Sequence, residues 1–197
     1  MRIVIDGAHG GGKSTFLRGI QNRENVPCIA KLGDSIFSDL IGKSFFKGRQ
    51  SKIVPPRTQE DWNKLFQIIV DDGIEQFNLG SDSGVVWYDR GLHYAKVIAE
   101  MDGNLFPIEL SDRMQTYVYD YAFIFEPIDS CDFTKIHKAG CRSFSIKDRY
   151  ECVDMTYSTY EKSGSRVCKV PFYSYDYIEN FERRYAMIQN FIKNNPL

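Results

Sequence analysis

The first fifteen residues of the chain are Met1-Arg-Ile-Val-Ile-Asp-Gly-Ala-His-Gly-Gly-Gly-Lys-Ser-Thr15, and they set the class of fold. Residues Gly7 to Ser14 match G-x-x-x-x-G-K-[ST], the pattern of a phosphate-binding loop between a strand and a helix. The apolar run before the pattern predicts a buried strand over 2–6, and apolar residues at helical spacing predict a helix over 13–22. A glycine turn without a ligand is the alternative, and it is disfavoured because pattern, strand and helix occur together.

Each residue type in this loop has a physical role in holding phosphate. Glycines let the backbone curl so that successive N–H groups point at one anion, and the helix N-terminus adds partial positive charge. The lysine would reach the outer phosphates, and the serine hydroxyl would hold Mg²⁺. The predicted nucleotide-binding residues are therefore Gly7, Gly10, Gly11, Gly12, Lys13, Ser14 and Thr15, with Ser14 also a predicted metal ligand.

Bulk properties restrict the class of protein. A chain of 197 residues is long enough for one well-buried domain and short for two, so a single domain over 1–197 is predicted. The net charge of −1 gives no electrostatic case for a nucleic-acid or membrane partner. No run approaches the length of a transmembrane helix, and the first residues predict a strand, not a signal peptide.

The cysteines indicate a reducing setting. Their number is five, which is odd, and no tight pairing pattern is present, so free thiols in a cytoplasmic protein are predicted. A loose group of Cys131, His137 and Cys141 leaves a zinc site as an alternative, although its spacing fits no standard site.

Strands and helices alternate along the rest of the chain, which predicts an α/β fold with a parallel sheet and helices on both faces. Further strands are predicted over 26–30, 84–89, 121–125 and 166–171, and helices over 34–46, 58–79, 92–101, 109–115, 148–162 and 177–193. The polar segment 129–147 is weakly patterned and is interpreted as a mobile loop, part of a lid around 129–149.

A second group of candidate residues follows the predicted strand over 84–89. A carboxylate at the end of a strand beside a phosphate-binding loop usually faces the metal and the phosphates. Asp89 is therefore predicted to contact Mg²⁺ or to accept a proton from an attacking hydroxyl, with a helix N-cap as the alternative. Arg90 is predicted to hold an anionic or polar acceptor with its planar guanidinium, and a salt bridge at the sheet edge is the alternative.

Three cations lie within eight residues on and after the predicted loop: Arg142, Lys147 and Arg149. A positioned arginine stabilises the charge that spreads over the phosphoryl group during transfer, and a closing loop can deliver it and exclude water. Arg149 is the first candidate for this role and Arg142 the second. A solvated charged face is the alternative.

Four further residues are candidates for contact with the acceptor substrate. His9 lies inside the phosphate-binding loop, and Lys31 and Asp34 follow the second predicted strand, on the ligand side of such a sheet. Arg57 precedes the long helix predicted over 58–79. Surface charge is the alternative for the last three.

Taken in order, these motifs resemble the P-loop kinases of nucleosides and nucleotides, near thymidylate kinase and the deoxyribonucleoside kinases. They are also similar to the small AAA-like ATPase family that contains nicotinamide riboside kinase domains. Residues 5–15 resemble the opening of thymidylate kinase, Tyr88-Asp89-Arg90 its Asp-Arg motif, and Lys147-Asp148-Arg149-Tyr150 its lid and the following helix. Tyr119-Asp120 and Val170-Pro171 resemble the AAA-like relatives.

The resemblance implies a three-layer P-loop NTPase fold whose five-stranded parallel sheet has the order 2-3-1-4-5. It implies ATP and Mg²⁺ at the loop and an acceptor above the strand ends. The loop lysine and serine would handle phosphate and metal, Asp89 would be a base or metal partner, and Arg90 would bind the acceptor. Arg142 or Arg149 would act from the lid.

Two departures argue against strict thymidylate specificity. His9 stands where thymidylate kinases usually carry an acidic residue, and Lys31-Leu-Gly-Asp34 stands where an Arg-Glu-Pro segment is expected. The expected function is ATP-dependent phosphoryl transfer to a nucleoside or nucleoside monophosphate. A nucleotide-switch protein with slow hydrolysis is the main alternative, although the guanine-reading Asn-Lys-x-Asp motif is missing, and an ATPase motor subunit is another. Kinases of this kind are often dimers, so a homodimer is left open.

Overall fold

The computed structural model describes residues 1–8, 10–24, 28–29, 58–79, 84–128 and 145–197. Within these ranges the strands are β1 (Arg2–Gly7), β2 (Cys28–Ile29), β3 (Val86–Asp89), β4 (Tyr121–Phe125) and β5 (Arg166–Val170). The helices are α1 (Lys13–Glu24), α2 (Gln59–Leu79), α3 (Tyr94–Met101), α4 (Ile108–Met114), α5 (Ile146–Lys162) and α6 (Tyr177–Asn194). The helix predicted over 34–46 lies outside the described residues.

The strands form one parallel sheet of five strands in the order β2-β3-β1-β4-β5, and this confirms the predicted fold class. Strand β1 lies in the centre: Ile3 is in register with Trp87 on one side and with Tyr121 on the other. Because all strands run in the same direction, their carboxyl ends lie at one edge of the sheet. Ligands of open α/β sheets bind at this edge, and here the loop after β1 meets the residues that follow β3.

Alternate residues of β1 face two separate hydrophobic cores. Ile3 and Ile5 pack with Phe16 of α1 and Ile188 of α6. Val4 belongs to the opposite core, which contains the buried faces of α2, α3, α4 and α5. The molecule therefore has three layers, and burial on both faces explains why the strands are nearly continuous apolar runs.

Helix α5 begins at Ile146, two residues before the predicted start. Ser145 is its N-cap: the Asp148 backbone N–H donates to Ser145 Oγ (3.1 Å), and the Ser145 N–H donates to Asp148 Oδ2 (2.8 Å). This reciprocal pair is a capping box. Consequently Ile146 and Lys147 belong to a helix and not to the predicted mobile loop, and Arg149 lies in the helix as predicted. Residues 129–144 lie outside the described residues.

Candidate functional site

The loop between β1 and α1 has a backbone that favours glycine at several positions. Gly7, Gly10 and Gly12 have φ angles of 114°, 80° and 79°, in the left-handed region. A Cβ at Gly7 would lie 2.5 Å from the carbonyl oxygen of Phe125, at the end of β4. The loop therefore lies directly against the neighbouring strand, and α1 begins immediately after it. The unpaired N–H groups of the first turn of α1 lie beside the loop and favour an anion there.

Lys13 is the buried cation of this loop, with 6% of its surface exposed. Its Nζ donates hydrogen bonds to the carbonyl oxygens of Gly7 (2.9 Å) and Ala8 (2.6 Å). Burial and the nearby Arg90 cation lower the pKa of Lys13 from 10.5 to about 7. A buried ammonium in this state gains free energy from a neighbouring anion. The loop is therefore suited to phosphate.

Asp6, the carboxylate at the end of β1, is absent from the residues that the sequence motifs single out. It is fully buried. Its Oδ1 accepts a hydrogen bond from the Gly7 N–H (2.8 Å), and its Oδ2 accepts from the Tyr160 hydroxyl (2.8 Å) and the Gly91 N–H (3.3 Å). Burial raises the pKa of Asp6, against the lowering effect of the neighbouring cations. This carboxylate joins the start of the loop, the turn after β3 and helix α5.

Aromatic side chains pack against the turn after β3 and support it. A Cβ at Gly91 would lie 2.3 Å from the Tyr160 hydroxyl, so the turn passes directly against helix α5. His93 packs edge-on against the Tyr160 ring with 5.3 Å between centroids, and its Nε2 donates to the Tyr117 carbonyl (3.0 Å). Burial lowers the pKa of His93 to about 4, so this histidine is neutral near pH 7. Its role in the structure is to stabilise the turn.

Asp89 ends β3 directly beside the centre of the sheet, in register with Ile5. It is 6% exposed, and its Oδ1 is buried and has no hydrogen-bond partner in the ranges that the structure describes. The N-cap of α3 is His93, so the alternative role of Asp89 as that N-cap is wrong. Buried polar atoms are nearly always paired in folded proteins, and an unpaired one calls for a ligand, a water or an ion.

Arg90 follows with a φ of 69°, the one described non-glycine residue in the left-handed region. Its backbone N–H donates to the Ile5 carbonyl (2.9 Å), and its guanidinium carbon lies 4.3 Å from the centroid of the Tyr94 ring. Such a backbone conformation costs free energy and is retained where its surroundings impose it, often at functional sites. The pair Asp89-Arg90 therefore occupies a tightly held turn next to the loop.

Arg149 reaches the same edge of the sheet from helix α5. Its side chain is 8% exposed, and its Nη1 donates to the carbonyl of Ile128, three residues after β4 (3.3 Å). In α1, Ser14 is half-buried and Thr15 is exposed. The remaining predicted site residues, and the group considered for zinc, lie outside the described residues: His9, Lys31, Asp34, Arg57, Arg142, Cys131, His137 and Cys141.

The residues fit a magnesium ion better than a fully protein-ligated metal. In the described parts of the chain, no three His, Cys, Asp or Glu side chains form a cluster that could hold a metal ion. Mg²⁺ usually takes one or two protein oxygens together with phosphate and water, which suits the Ser14 hydroxyl and the open Oδ1 of Asp89. None of the described helices is long and apolar enough to cross a membrane.

Comparison with known proteins identifies the family. A family model described as "AAA domain" matches residues 2–178, so the chain belongs to this AAA domain family. Deoxyadenosine kinase from M. mycoides with bound dATP has a TM-score of 0.60 at 14% identity, covering 98% of this chain and 100% of that one. The structure of the same enzyme with the products dCMP and dCDP has a TM-score of 0.63 at 14% identity, covering 99% of this chain and 100% of that one.

Thymidylate kinase from Ehrlichia chaffeensis has a TM-score of 0.58 at 15% identity, with 98% of each chain covered. At these identities the likeness shows the fold alone. A comparison with curated proteins found no match. The family model thereby confirms the predicted similarity to AAA-like ATPases, and the solved structures confirm the predicted fold of the P-loop kinases of nucleosides and nucleotides.

Proposed function

We propose that the protein is a kinase that transfers the γ-phosphoryl group of ATP to a nucleoside or nucleoside monophosphate. The proposal rests on one observation: two buried groups of opposite charge lie near each other beside the glycine loop. The Lys13 ammonium lies within the loop, and the Asp89 carboxylate is close enough to favour its charged form. The open oxygen of Asp89 then remains available for a metal or a hydroxyl proton. The fold shared with deoxyadenosine and thymidylate kinases supports this class of acceptor.

The chain's own groups would act mainly by position and charge. When bound, Mg²⁺ neutralises charge on the phosphates. Lys13 would contact the outer phosphate oxygens, and Asp89 would hold a metal-bound water or accept the proton of the attacking hydroxyl. Arg90 would bind the acceptor, and Arg149 would stabilise charge on the transferred group. Holding donor and acceptor in line supplies most of the rate in such reactions.

The role of Asp89 depends on the acceptor. A nucleoside attacks through a neutral hydroxyl, which loses a proton during the reaction and benefits from a base. A nucleoside monophosphate attacks through an oxygen that is already anionic, so Asp89 would serve the metal alone. The effect of Asp89 substitutions on the two acceptor classes therefore distinguishes them.

The decisive experiment measures ADP release from Mg·ATP with a panel of nucleosides, nucleoside monophosphates and nicotinamide riboside, each against a blank without acceptor. Release that rises sharply with one class, and is lost in Lys13→Ala, supports the kinase and names its substrate. Lys64→Ala is the matched control because Lys64 is an exposed lysine paired with Glu60 on α2. Full turnover by Lys13→Ala would overturn the role of the loop.

Slow release that no acceptor changes would instead favour the nucleotide-switch alternative, in which loops order around the γ-phosphate. The proposal also includes a cytoplasmic setting and no nucleic-acid or membrane partner. A single domain over 1–197, a lid around 129–149 and a homodimer stay predictions. Light scattering of the purified chain, with and without Mg·ATP, tests the homodimer.

A further inference from the structure

Arg184 of helix α6 is a buried cation that no sequence motif marks. Its side chain is 1% exposed. Its Nη1 donates to the carbonyl oxygen of Gly11 in the phosphate-binding loop, and its Nε donates to the carbonyl of Pro171, just after β5 (2.9 Å). One guanidinium therefore joins two segments at the carboxyl edge of the sheet.

The carboxylate of Glu126 lies near enough to favour the charged form of this guanidinium. Within the described parts of the chain, no acidic side chain forms an ion pair or hydrogen bond with Arg184, and its Nη2 is buried without a hydrogen-bond partner. The guanidinium carbon lies 4.4 Å from the centroid of the Phe125 ring and 5.7 Å from that of Phe172. Burial lowers the pKa of Arg184 to about 10, so the group is still charged near pH 7.

The contact with Gly11 also constrains the direction of a backbone N–H. In a planar trans peptide the C=O of one residue and the N–H of the next point to opposite sides. Because the Gly11 carbonyl is held towards α6, the Gly12 N–H points away from α6. A Cβ at Gly12 would lie 3.4 Å from Arg184 Nη1, so the guanidinium lies directly behind this peptide.

We propose that Arg184 is a positioning residue for the phosphate-binding loop: it aims the Gly12 N–H at the anion and places a buried positive charge behind the loop. The anion it serves is the polyphosphate of a nucleotide, so this inference rests on the proposed function. Arg184 acts through the loop, whereas Lys13 would touch the phosphates. Burial of a charge is costly unless opposite charge lies nearby, and a polyphosphate on the other side of the loop reduces that cost.

The test is calorimetric titration of the full chain with two probes, Mg·ATP and inorganic tripolyphosphate. Arg184→Gln should weaken the binding of both probes by about tenfold or more, the usual effect of losing hydrogen bonds to a charged group. Arg184→Lys keeps the charge and should recover part of that loss. Arg183→Gln is the matched control and should bind normally, because the neighbouring Arg183 is exposed and pairs with Glu179 (3.3 Å).

An equal loss of affinity for both probes would show that Arg184 affects the binding of the phosphates. A purely structural role would not produce this loss in a folded variant. Wild-type affinity in folded Arg184→Gln would overturn the inference while leaving the proposed function intact. If Arg184→Gln does not fold, Arg184→Met replaces it as an uncharged side chain suited to a buried site, and wild-type affinity for both probes in that variant would overturn the inference. A wild-type chain that binds neither probe would overturn the proposed function and this inference with it.

Discussion

Asp6 and Asp89 end neighbouring strands at the same edge of the sheet, yet their surroundings are opposite. Both side chains are buried, at 0% and 6% exposure. The two oxygens of Asp6 accept hydrogen bonds from Gly7, Gly91 and Tyr160, whereas Oδ1 of Asp89 has no hydrogen-bond partner among the described residues. A position at the end of a strand is thus insufficient to mark a ligand carboxylate. The unused hydrogen-bonding capacity is what distinguishes Asp89.

The difference in hydrogen bonding predicts that one aspartate serves the stability of the fold and the other the reaction. Removal of the Asp6 carboxylate would leave three buried donors unsatisfied, which is costly because they cannot turn to water. Removal of the Asp89 charge breaks no hydrogen bond at Oδ1, because this oxygen has no partner in the described part of the chain. Asp6 should therefore act on folding and Asp89 on turnover, and each of the following experiments compares these two roles.

Asp89→Asn should lower kcat about 10²- to 10⁴-fold with a nucleoside acceptor, because the variant loses the base. With a monophosphate acceptor the loss should be smaller, since no proton has to be removed. The melting temperature should stay at the wild-type value or rise. Steady-state kinetics and thermal unfolding measure the two effects, with Asp112→Asn on the exposed face of α4 as control. Wild-type kcat in Asp89→Asn would contradict the proposed role.

Asp6→Ala should lower the free energy of unfolding by about 3 kcal/mol, because it leaves buried donors without an acceptor. Asp120 offers a matched control at the opposite edge of the sheet, where its partly exposed carboxylate accepts a hydrogen bond from the Arg2 N–H (2.6 Å). Asp120→Ala should cost about 1 kcal/mol. Urea unfolding measures both values. Equal small losses would show that the buried network around Asp6 contributes little.

Tyr160→Phe should lower the free energy of unfolding by about 1 to 2 kcal/mol, because one donor to Asp6 disappears while the ring remains. Tyr157→Phe on the same helix is the control, since Tyr157 is only half-buried and its hydroxyl forms no hydrogen bond with another described residue. Thermal unfolding monitored by circular dichroism tests the pair. A Tyr160→Phe variant as stable as Tyr157→Phe would indicate that Asp6 finds a replacement donor.

The carboxylates of Asp6 and Asp89 both favour the charged form of Lys13. Lys13 should take up a proton when nucleotide binds. Its pKa of about 7 leaves the amine mostly neutral at about pH 8, and a bound phosphate favours the charged form. Uptake should approach one proton per Mg·ATP, and affinity should fall as pH rises from about 7 towards 10.5, the ordinary lysine value. Calorimetry in buffers of different ionisation enthalpy measures the uptake.

Lys13→Arg provides the reference for this measurement, because an arginine stays charged throughout the range and should take up no proton. Uptake by the wild type equal to that of Lys13→Arg would show that the amine is already protonated in the free protein. The same titration of Asp6→Asn should show greater uptake, since Asp6 favours the charged form of Lys13.

Local signals in the amino-acid sequence were enough for the architecture. The glycine pattern, the apolar runs and the helical periodicities each involve residues close along the chain, and together they predict the alternation of strands and helices. The strand order that the sheet shows was expected only from the resemblance to P-loop kinases. The capping box of Ser145 and Asp148 was also a local signal, and it explains why α5 begins earlier than its periodicity alone predicted. The same locality made Lys13 and Asp89 recognisable as candidates.

Packing between distant parts of the chain decides which polar groups are buried and which of them are paired. Tyr160 and Asp6 are 154 residues apart, and Arg184 and Gly11 are 173 apart, so no spacing rule links them. An aspartate before a loop and an arginine in an amphipathic helix are common residues whose burial is set by their neighbours in space. Some buried groups have all their polar atoms paired, as Asp6 does, and others keep one atom without a partner among the described residues, as Asp89 Oδ1 and Arg184 Nη2 do. The outcome depends on which donors and acceptors the folded chain brings within hydrogen-bond distance.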